Sequence, residues 1–271
     1  MSTKIHATAI IHKSAQLDMD VEIGPYVVIG ENVRIGAGTS VGPHSLFEFC
    51  EIGKNNQFTG HAFIGMPPQD YKYHGEPTLL VMGDSNIVRE GVSLHRGTPG
   101  EGHGTTTIGS GCMFMCNSHV GHDCHIGSEV IMVNSAVAAG HVTIEDKAII
   151  SGLVAIHQFT RVGTLAMLSG GSMANQDIVP YCTARGDRAK PVTLNLVGLK
   201  RNGVSLESIK SVKHAFKTLL FGGYLMTEAI ARLKAEKLSP EAMHLVEFCE
   251  KSKRGVARPR RSAVRAAEVS E

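Results

Sequence analysis

The chain has 271 residues, a formal net charge of +2, six cysteines and no tryptophan. It contains no run of eighteen apolar residues and its N-terminus lacks an apolar signal core, so neither a membrane span nor a secretory leader is predicted. The cysteine spacing is unlike that of a secreted disulfide framework, which favours a reduced, cytoplasmic location.

Residues 1–190 contain four blocks in which an aliphatic, aromatic or alanine residue recurs at every sixth position, and the second block is displaced by one residue. A step of six fits neither a helix nor an open strand, and it is typical of a parallel β-solenoid. Each hexad would form one flat face, and three hexads would form one triangular coil. The repeat runs in four blocks: Ile5, Ile11, Leu17, Ile23, Ile29, Ile35, Val41 and Phe47; Ile52, Phe58 and Ile64; Met82, Val88 and Leu94; and Ile108, Phe114, Val120, Ile126, Met132, Ala138, Ile144, Ile150, Ile156, Val162 and Leu168.

A glycine often follows the inward residue of a hexad, as at Gly24, Gly30, Gly36 and Gly42. We expect these glycines to supply the positive φ that turns each corner of the triangle.

The six-residue register breaks twice, at about residues 66–80 and 97–106. Both breaks are insertions. Insertions in a solenoid project from one edge as loops and often carry function.

Residues eighteen apart should stack on neighbouring coils at the strand spacing of about 4.8 Å. His122, Gly140 and Gln158 then form one column, and Asp123, His141 and Phe159 form the next. The spacing therefore predicts a polar outer wall that faces solvent or a neighbouring chain.

The segment 116–125 is rich in histidine and allows three interpretations. Zinc needs three or four converging ligands, and His119 and His125 should lie on different faces, so no metal site is predicted. The histidines could simply face solvent. Alternatively His122 is a general base oriented by Asp123, with the Gly140 N–H beside it as an oxyanion donor, which would suit acyl transfer to a hydroxyl or amine.

Residues 191–254 change to a helical pattern. One helix should bury Ile209, Val212, Phe216 and Leu219 and stop at residues 222–223. A second is predicted over residues 227–237, and a third should begin with Ser239 as N-cap. The basic segment 255–271 is predicted to be a flexible tail.

Seven segments resemble one family, in order along the chain. They are Gln69-Asp70-Tyr71-Lys72-Tyr73, Gly75-Glu76-Pro77-Thr78, His95-Arg96-Gly97-Thr98, His119-Val120-Gly121-His122-Asp123-Cys124, Ala139-Gly140-His141-Val142, Ala155-Ile156-His157-Gln158-Phe159 and Gly198-Leu199-Lys200-Arg201. The chain resembles the acyl-carrier-protein:UDP-N-acetylglucosamine O-acyltransferases, which start lipid A synthesis in Gram-negative bacteria, over about residues 4–253.

This resemblance implies a left-handed parallel β-helix with a C-terminal α-helical domain, although the general preference for right-handed crossovers would predict the other hand. It implies a homotrimer with active sites between subunits. The activity would be transfer of a 3-hydroxyacyl group from acyl carrier protein to the 3-hydroxyl of UDP-N-acetylglucosamine, without a cofactor.

The resemblance also implies roles for particular residues. His122 would be the general base, Asp123 would orient it, and the Gly140 N–H would bind the oxyanion. Gly170 would be an acyl-length ruler whose missing side chain favours a longer acyl group, unless Gly170 and Gly171 simply turn a corner. The substrate-binding residues would be Asp70 and Lys72 at the sugar nucleotide, His119, His141, His157 and Gln158 along the cleft, and Asn195 and Arg201 at the nucleotide end.

Two positions depart from the family pattern. Enterobacterial members carry Glu where this chain has Val197 and a second Arg where it has Asn202, so the nucleotide contacts are open. Residues 151–153 and 119–122 also resemble members that acylate a 3-amino sugar, so the acceptor atom is open as well. The competing hypotheses are an acetyl-CoA-dependent acetyltransferase, the later N-acyltransferase of the same pathway, a metal-dependent hydratase and a non-catalytic scaffold.

Overall fold

The computed structural model describes residues 3–100 and 104–259. Within these residues, 28 short strands form three sheets and are followed by four helices.

Sheet A contains β1 (Lys4–Ile5), β4 (Glu22–Ile23), β7 (Ser40–Val41), β10 (Gln57–Phe58), β13 (Ile87–Val88), β16 (Met113–Phe114), β19 (Ile131–Met132), β22 (Ile149–Ile150), β25 (Met167–Leu168), β27 (Cys182–Arg185) and β28 (Lys190–Leu194). Sheet B contains β2 (Ile10–Ile11), β5 (Val28–Ile29), β8 (Leu46–Phe47), β11 (Phe63–Met66), β14 (Ser93–His95), β17 (His119–Val120), β20 (Val137–Ala138), β23 (Ala155–Ile156) and β26 (Met173–Ala174). Sheet C contains β3 (Gln16–Leu17), β6 (Val33–Ile35), β9 (Cys50–Ile52), β12 (Leu79–Met82), β15 (Thr105–Ile108), β18 (His125–Ile126), β21 (Thr143–Ile144) and β24 (Arg161–Val162).

Each sheet is one face of a triangular prism, and the chain visits A, B and C in turn. The predicted left-handed parallel β-helix is confirmed. Neighbouring strands along the prism are parallel, and most are eighteen residues apart, as for His119 opposite Val137. The spacing is seventeen where the second block of hexads begins, as for Val33 opposite Cys50, because that block is displaced by one residue. The last two strands differ, because β27 and β28 pair antiparallel and close the end of sheet A.

The inward residue of each hexad fills the shaft of the prism. Nearly all of these residues are buried from Ile23 onwards, and Phe47 and Phe58 meet edge to face at 4.9 Å. Burial of each such side chain contributes roughly 1.5–3 kcal/mol. The stacked coils therefore stabilise one another without a conventional two-layer core.

The glycines after the inward residues do not turn the corners, so this prediction was wrong. The positive φ falls two residues later, at Tyr26, Asn32, Gly38 and His44. Gly42 is required for a different reason, since a Cβ there would lie 2.2 Å from the carbonyl oxygen of Thr59 on the next coil. Close stacking of the coils excludes the side chain, whatever the backbone angle.

The corners are named here for the sheet that precedes them. The A corner contains residues 133–135 and their equivalents on other coils, the B corner residues 121–123, and the C corner residues 127–129. The two insertions lie between β11 and β12 and between β14 and β15, so both leave the prism at the B corner. This position brings them to the column of His122.

Four helices follow the last strand: α1 (Leu196–Arg201), α2 (Leu206–Leu220), α3 (Met226–Lys234) and α4 (Pro240–Glu250). The predicted N-cap is confirmed, because the Ser239 hydroxyl accepts a hydrogen bond from the N–H of Ala242. The sequence did not predict α1. None of the four helices in the described residues is long and apolar enough to cross a bilayer.

The helices are fastened to the last coils by polar contacts. The Arg161 guanidinium lies 3.9 Å from the ring centre of Phe248 and donates to its carbonyl oxygen. His244 Nε2 lies 2.8 Å from Glu145 Oε2. These contacts tie α4 to sheet C and to the C corner.

Residues 255–259 differ from the predicted flexible tail. Ala257 is fully buried, and its N–H donates to the carbonyl oxygen of Asp177. Arg258 donates to the carbonyl oxygens of Leu219 and Tyr224. The segment is ordered because backbone and guanidinium donors find acceptors on the solenoid and on α2. The rest of the predicted tail, residues 260–271, lies outside the described residues.

Candidate active site

His122 and Asp123 form a hydrogen-bonded pair in the B corner. Nδ1 of His122 lies 2.8 Å from Oδ2 of Asp123. The two residues are adjacent in sequence, and Asp123 has the positive φ of a corner residue, +58. Aspartate is among the few residues that tolerate this backbone region. The predicted His–Asp contact is therefore present, and it leaves Nε2 of the imidazole available to a ligand.

The pair is buried rather than exposed, which corrects the predicted position on an open wall. His122 is 5% exposed and Asp123 is 2% exposed. The second insertion covers them, because Thr98 donates to Asp123 through its N–H at 2.9 Å and its hydroxyl at 2.6 Å. Burial by itself would raise the pKa of Asp123, but the hydrogen bonds from His122 and Thr98 outweigh it and leave that pKa below its usual value.

Gly140 lies directly against the imidazole of His122, on the next coil. A Cβ at this position would lie 2.5 Å from both Cε1 and Nε2 of the ring. The ring can occupy this place only because residue 140 is a glycine. The predicted column of His122 and Gly140 is therefore a tight contact.

The N–H of Gly140 has no acceptor among the described residues. The N–H of the second residue after the inward residue takes no part in the strand ladder. In the A corner this position is proline on two coils, Pro25 and Pro43, and on later coils it is Asn134 and Gly152, whose N–H groups also have no acceptor among the described residues. An unpaired backbone N–H beside a buried imidazole is available to bind a developing negative charge.

Three further histidines surround His122. His95 and His119 meet edge to face at 5.0 Å, and His119 Nδ1 lies 2.8 Å from the Ser93 hydroxyl. Burial, with smaller contributions from His95 and His122, lowers the pKa of His119 to about 4, and burial also lowers the pKa of His95. Both are therefore neutral near pH 7. His141 stacks on Phe159 at 4.6 Å, so its ring is a wall of the site.

Two adjoining cavities meet at His122. The larger has a volume of about 530 Å³ and is lined by the first insertion, including Asp70 and Lys72, and by His141 and Phe159. The smaller has a volume of about 270 Å³ and is lined by His95, His119, Val137, Ala139 and Gly140. Gln69, His122 and Gln158 line both. A reaction at His122 can thus receive one ligand from each side.

The structure does not bring every predicted site residue to this cleft. His157 is exposed, its Nδ1 lies 3.2 Å from the Gln158 carbonyl oxygen, and it lines neither cavity. Asn195 caps α1 and donates to the carbonyl oxygen of Leu165 in the C corner. Arg201 ends α1 and is exposed. Gly170 lies in the A corner.

His122, Asp123 and His141 place potential metal-ligand atoms within 4.8 Å of one another. Asp123 Oδ2 is already engaged, since it accepts hydrogen bonds from His122 and Thr98 and lies 3.7 Å from His141 Nε2. The three side chains therefore form a polar cluster around this carboxylate.

Thr98 is the contact that the sequence did not predict. It is 25 residues from Asp123, and because an insertion lies between them, the rule that residues eighteen apart stack on neighbouring coils does not apply. The motif of residues 95–98 contained the signal, but no spacing rule connects it to the histidine segment.

Comparison with known proteins gives consistent results along the chain. The profile described as UDP N-acetylglucosamine O-acyltransferase, domain 2, matches residues 177–257, and the bacterial transferase hexapeptide profile matches residues 8–43. The chain is 50% identical to the acyl-[acyl-carrier-protein]–UDP-N-acetylglucosamine O-acyltransferase of Myxococcus xanthus, over 94% of this chain and 99% of that protein. It is 49% identical to the protein of the same name from Thermodesulfovibrio yellowstonii, with the same coverage.

Solved structures are similar over the same length. The UDP-N-acetylglucosamine acyltransferase of Francisella novicida superposes with a TM-score of 0.91 at 38% identity, covering 96% of this chain and 95% of that one. The UDP-N-acetylglucosamine acyltransferase of Campylobacter jejuni gives a TM-score of 0.89 at 34% identity, covering 95% and 100%.

Proposed function

The chain belongs to the UDP-N-acetylglucosamine O-acyltransferase family, and we propose that His122 is the general base of the transfer it catalyses. The proposed reaction moves a 3-hydroxyacyl group from acyl carrier protein to the 3-hydroxyl of UDP-N-acetylglucosamine, the first step of lipid A biosynthesis. The observation that supports it best is the His122–Asp123 hydrogen bond beside the unpaired N–H of Gly140.

The proposed step is a direct attack. The sugar oxygen bonds to the thioester carbonyl carbon while Nε2 of His122 takes the hydroxyl proton. The carbonyl oxygen becomes an oxyanion and accepts a hydrogen bond from the Gly140 N–H. The C–S bond then breaks, and the imidazolium returns the proton to the leaving thiolate. Asp123 keeps the imidazole in the tautomer with its proton on Nδ1.

The two cavities suit two different substrates. The larger is bordered by Asp70, Lys72 and Gln69 and is suited to the polar sugar nucleotide. The smaller includes Val137, Ala139 and Gly140 and is suited to the acyl thioester. His122, which lines both, would be placed where the two reacting groups meet.

Gly170 remains the proposed acyl-length ruler. The corner itself is turned by Gly171, which has φ +68, and Gly170 has no such angle. A Cβ on Gly170 would meet only the Gly152 carbonyl oxygen, at 3.4 Å. Neither the backbone nor the packing of one chain requires glycine here, which supports a role in ligand binding.

A homotrimer would account for Asn195 and Arg201. Asn195 lies at the C corner and His122 at the B corner, so the two occupy opposite edges of sheet C. A cleft that contains both sets of residues requires a second copy of the chain. All six cysteines are free, which supports the proposed cytoplasmic location.

The test is to incubate the protein with UDP-N-acetylglucosamine, or with its 3-amino analogue, and a panel of 3-hydroxyacyl carrier proteins, and to identify the products by mass. We expect an O-acylated product, formed best with one of the longer acyl chains. A product from the amino analogue alone would replace this proposal with amide formation. A lack of product with every donor would refute acyl transfer to either sugar.

A further inference from the structure

The B corner contains a third polar residue that is aimed at the catalytic pair. Thr98 is 9% exposed, and it gives Asp123 two hydrogen bonds. Its N–H binds Oδ1 at 2.9 Å and its hydroxyl binds Oδ2 at 2.6 Å. Oδ2 is also the oxygen that meets Nδ1 of His122. We propose that Thr98 is a positioning residue, which fixes the Asp123 carboxylate and through it the imidazole of His122.

The two bonds together remove the rotational freedom of the carboxylate. One bond to each oxygen defines the plane of the group and assigns Oδ2 to the imidazole. The backbone of Asp123 is held separately, because its N–H donates to the Thr106 hydroxyl at 2.8 Å. With Thr98 in place, the carboxylate has a single orientation towards His122.

Thr98 is itself held from both sides. Gly97 packs so closely that a Cβ there would lie 2.3 Å from the Thr105 nitrogen and 2.7 Å from Asp123 Oδ1. Arg96, only 5% exposed, donates to the Gly65 carbonyl oxygen at 2.6 Å and lies over the Phe49 ring at 4.5 Å. The segment therefore reaches Asp123 from a fixed point on the solenoid.

Arg96 also connects Thr98 to the first insertion. Its Nε and a terminal nitrogen donate to the Tyr73 hydroxyl at 3.2 and 3.0 Å. Tyr73 is in the loop that carries Asp70 and Lys72. The same short segment thus contacts both the proposed sugar-binding loop and the carboxylate of Asp123.

The inference rests on the proposed function, and Thr98→Val tests it. Valine keeps the shape and the N–H bond but removes the hydroxyl. We expect kcat to fall about 10- to 100-fold with little change in either KM, since the lost contact acts on the reacting geometry. Thr98→Ser should restore most of kcat because it restores the donor.

The pH–rate profile separates positioning from a general loss of structure. Without the hydroxyl, the Asp123 carboxylate attracts the imidazolium proton more strongly, so the acidic limb should move to higher pH. His141 Nε2, 3.7 Å from Oδ2, and the buried Cys124 also face the carboxylate, and His95 and His119 face the imidazole. The substitution changes none of these groups. Partial unfolding would lower the rate at every pH and leave the limb in place.

Thr107→Val is the matched control. The Thr107 hydroxyl lies 2.8 Å from Nδ1 of His125, on sheet C and outside both cavities of the site. The same chemical change there should leave kcat within about twofold of the unmodified enzyme, as expected for a surface position.

A readout without substrate keeps the two proposals separate. The proton that His122 shares with Asp123 should give a downfield ¹H NMR signal, which broadens in Thr98→Val and returns in Thr98→Ser. If the unmodified protein acylates neither sugar, the proposed function fails, yet this signal still decides the role of Thr98. The role is refuted if Thr98→Val retains kcat within twofold of Thr107→Val, or if its signal and acidic limb do not change.

Discussion

The B corner and the C corner have the same backbone geometry but treat one backbone N–H differently. The N–H in question belongs to the second residue after the inward residue of a hexad. In the C corner it is the N–H of Lys54, Asp84, Ser110 and Ser128, and each donates to a side-chain oxygen on the next coil. In the B corner, the equivalent step is occupied by His122, Gly140 and Gln158, and the described residues give Gly140 no such acceptor.

This difference separates stability from chemistry within one repeat. A ladder of Ser and Asp caps satisfies the C corner, so that corner needs nothing from outside. The B corner instead leaves the Gly140 N–H and Nε2 of His122 available to a ligand. Missing caps alone do not distinguish the B corner, since the N–H groups of Asn134 and Gly152 in the A corner also have no acceptor among the described residues. The B corner differs because a buried imidazole lies against such an N–H.

The strongest challenge to this comparison is His122→Ala. Loss of the base should lower turnover by about a thousandfold, because general-base catalysis by a positioned histidine is worth this much. Thermal unfolding and oligomeric state should change little. His125→Ala, three residues away on sheet C, is the control and should retain turnover. An active His122→Ala enzyme would show that the uncapped corner is not the catalytic one.

Gly140→Ala examines the same corner from the next coil. The added methyl group would overlap the imidazole at 2.5 Å and displace it. We expect turnover to fall about a hundredfold, since a small displacement of a catalytic group has a cost of this size. Steady-state kinetics with both substrates measures the effect, and unchanged kcat would mean that the ring is free to move.

Gly170→Met extends the comparison to the A corner. A side chain there would enter space that glycine leaves open, so preference should move to shorter acyl chains. The ratio of kcat/KM for long over short donors should fall roughly tenfold or more, as for added methylene groups in other pockets. A donor panel measured with both enzymes gives this ratio, and an unchanged ratio would exclude the ruler.

Ser128→Ala tests the capped corner. The substitution removes the acceptor for the Ser110 N–H, which is 3.2 Å from the Ser128 hydroxyl. We expect a loss of about 1 kcal/mol in the free energy of unfolding and no change in kcat. Urea unfolding at fixed protein concentration measures the first quantity. A large loss of activity would show that the two corners are not separate in function.

The smallest expected effect is a change of stability with pH. It arises where the C corner contacts α4, because Glu145 there accepts a hydrogen bond from Thr164 and lies 2.8 Å from His244 Nε2. The hydrogen bond to Glu145 raises the pKa of His244 above 6.5. Burial would raise the pKa of Glu145, but the bonds from His244 and Thr164 hold it below 4.5. The His244 contribution is complete below pH 6.5 and is lost as pH rises through its raised pKa. The Glu145 contribution is present above pH 4.5 and is lost as pH falls.

We therefore expect the unmodified protein to be more stable near pH 6 than near pH 8.5, by about 0.5 kcal/mol, because the pair is partly exposed. His244→Gln should remove most of this difference. Urea unfolding of both proteins at the two pH values measures it, and equal pH dependence in both would contradict the assignment to this pair.

The sequence was informative wherever the repeat was unbroken. The step of six predicted the prism, and the step of eighteen predicted the column of His122 and Gly140, because strand spacing is the same in every sheet. The prediction for the corner glycines was wrong, because Gly42 is required by the close approach of the neighbouring coil and not by a positive φ of its own. Thr98 was missed because the chain leaves the register before it returns to Asp123.

The contact between His122 and Gly140 also bears on how this site can diversify. The imidazole and the Gly140 N–H come from adjacent coils, so the strand spacing sets their separation. Insertions and outward side chains remain free to vary around this constant interval. The loops at this corner can therefore change in length and sequence while the interval between the imidazole and the Gly140 N–H stays the same.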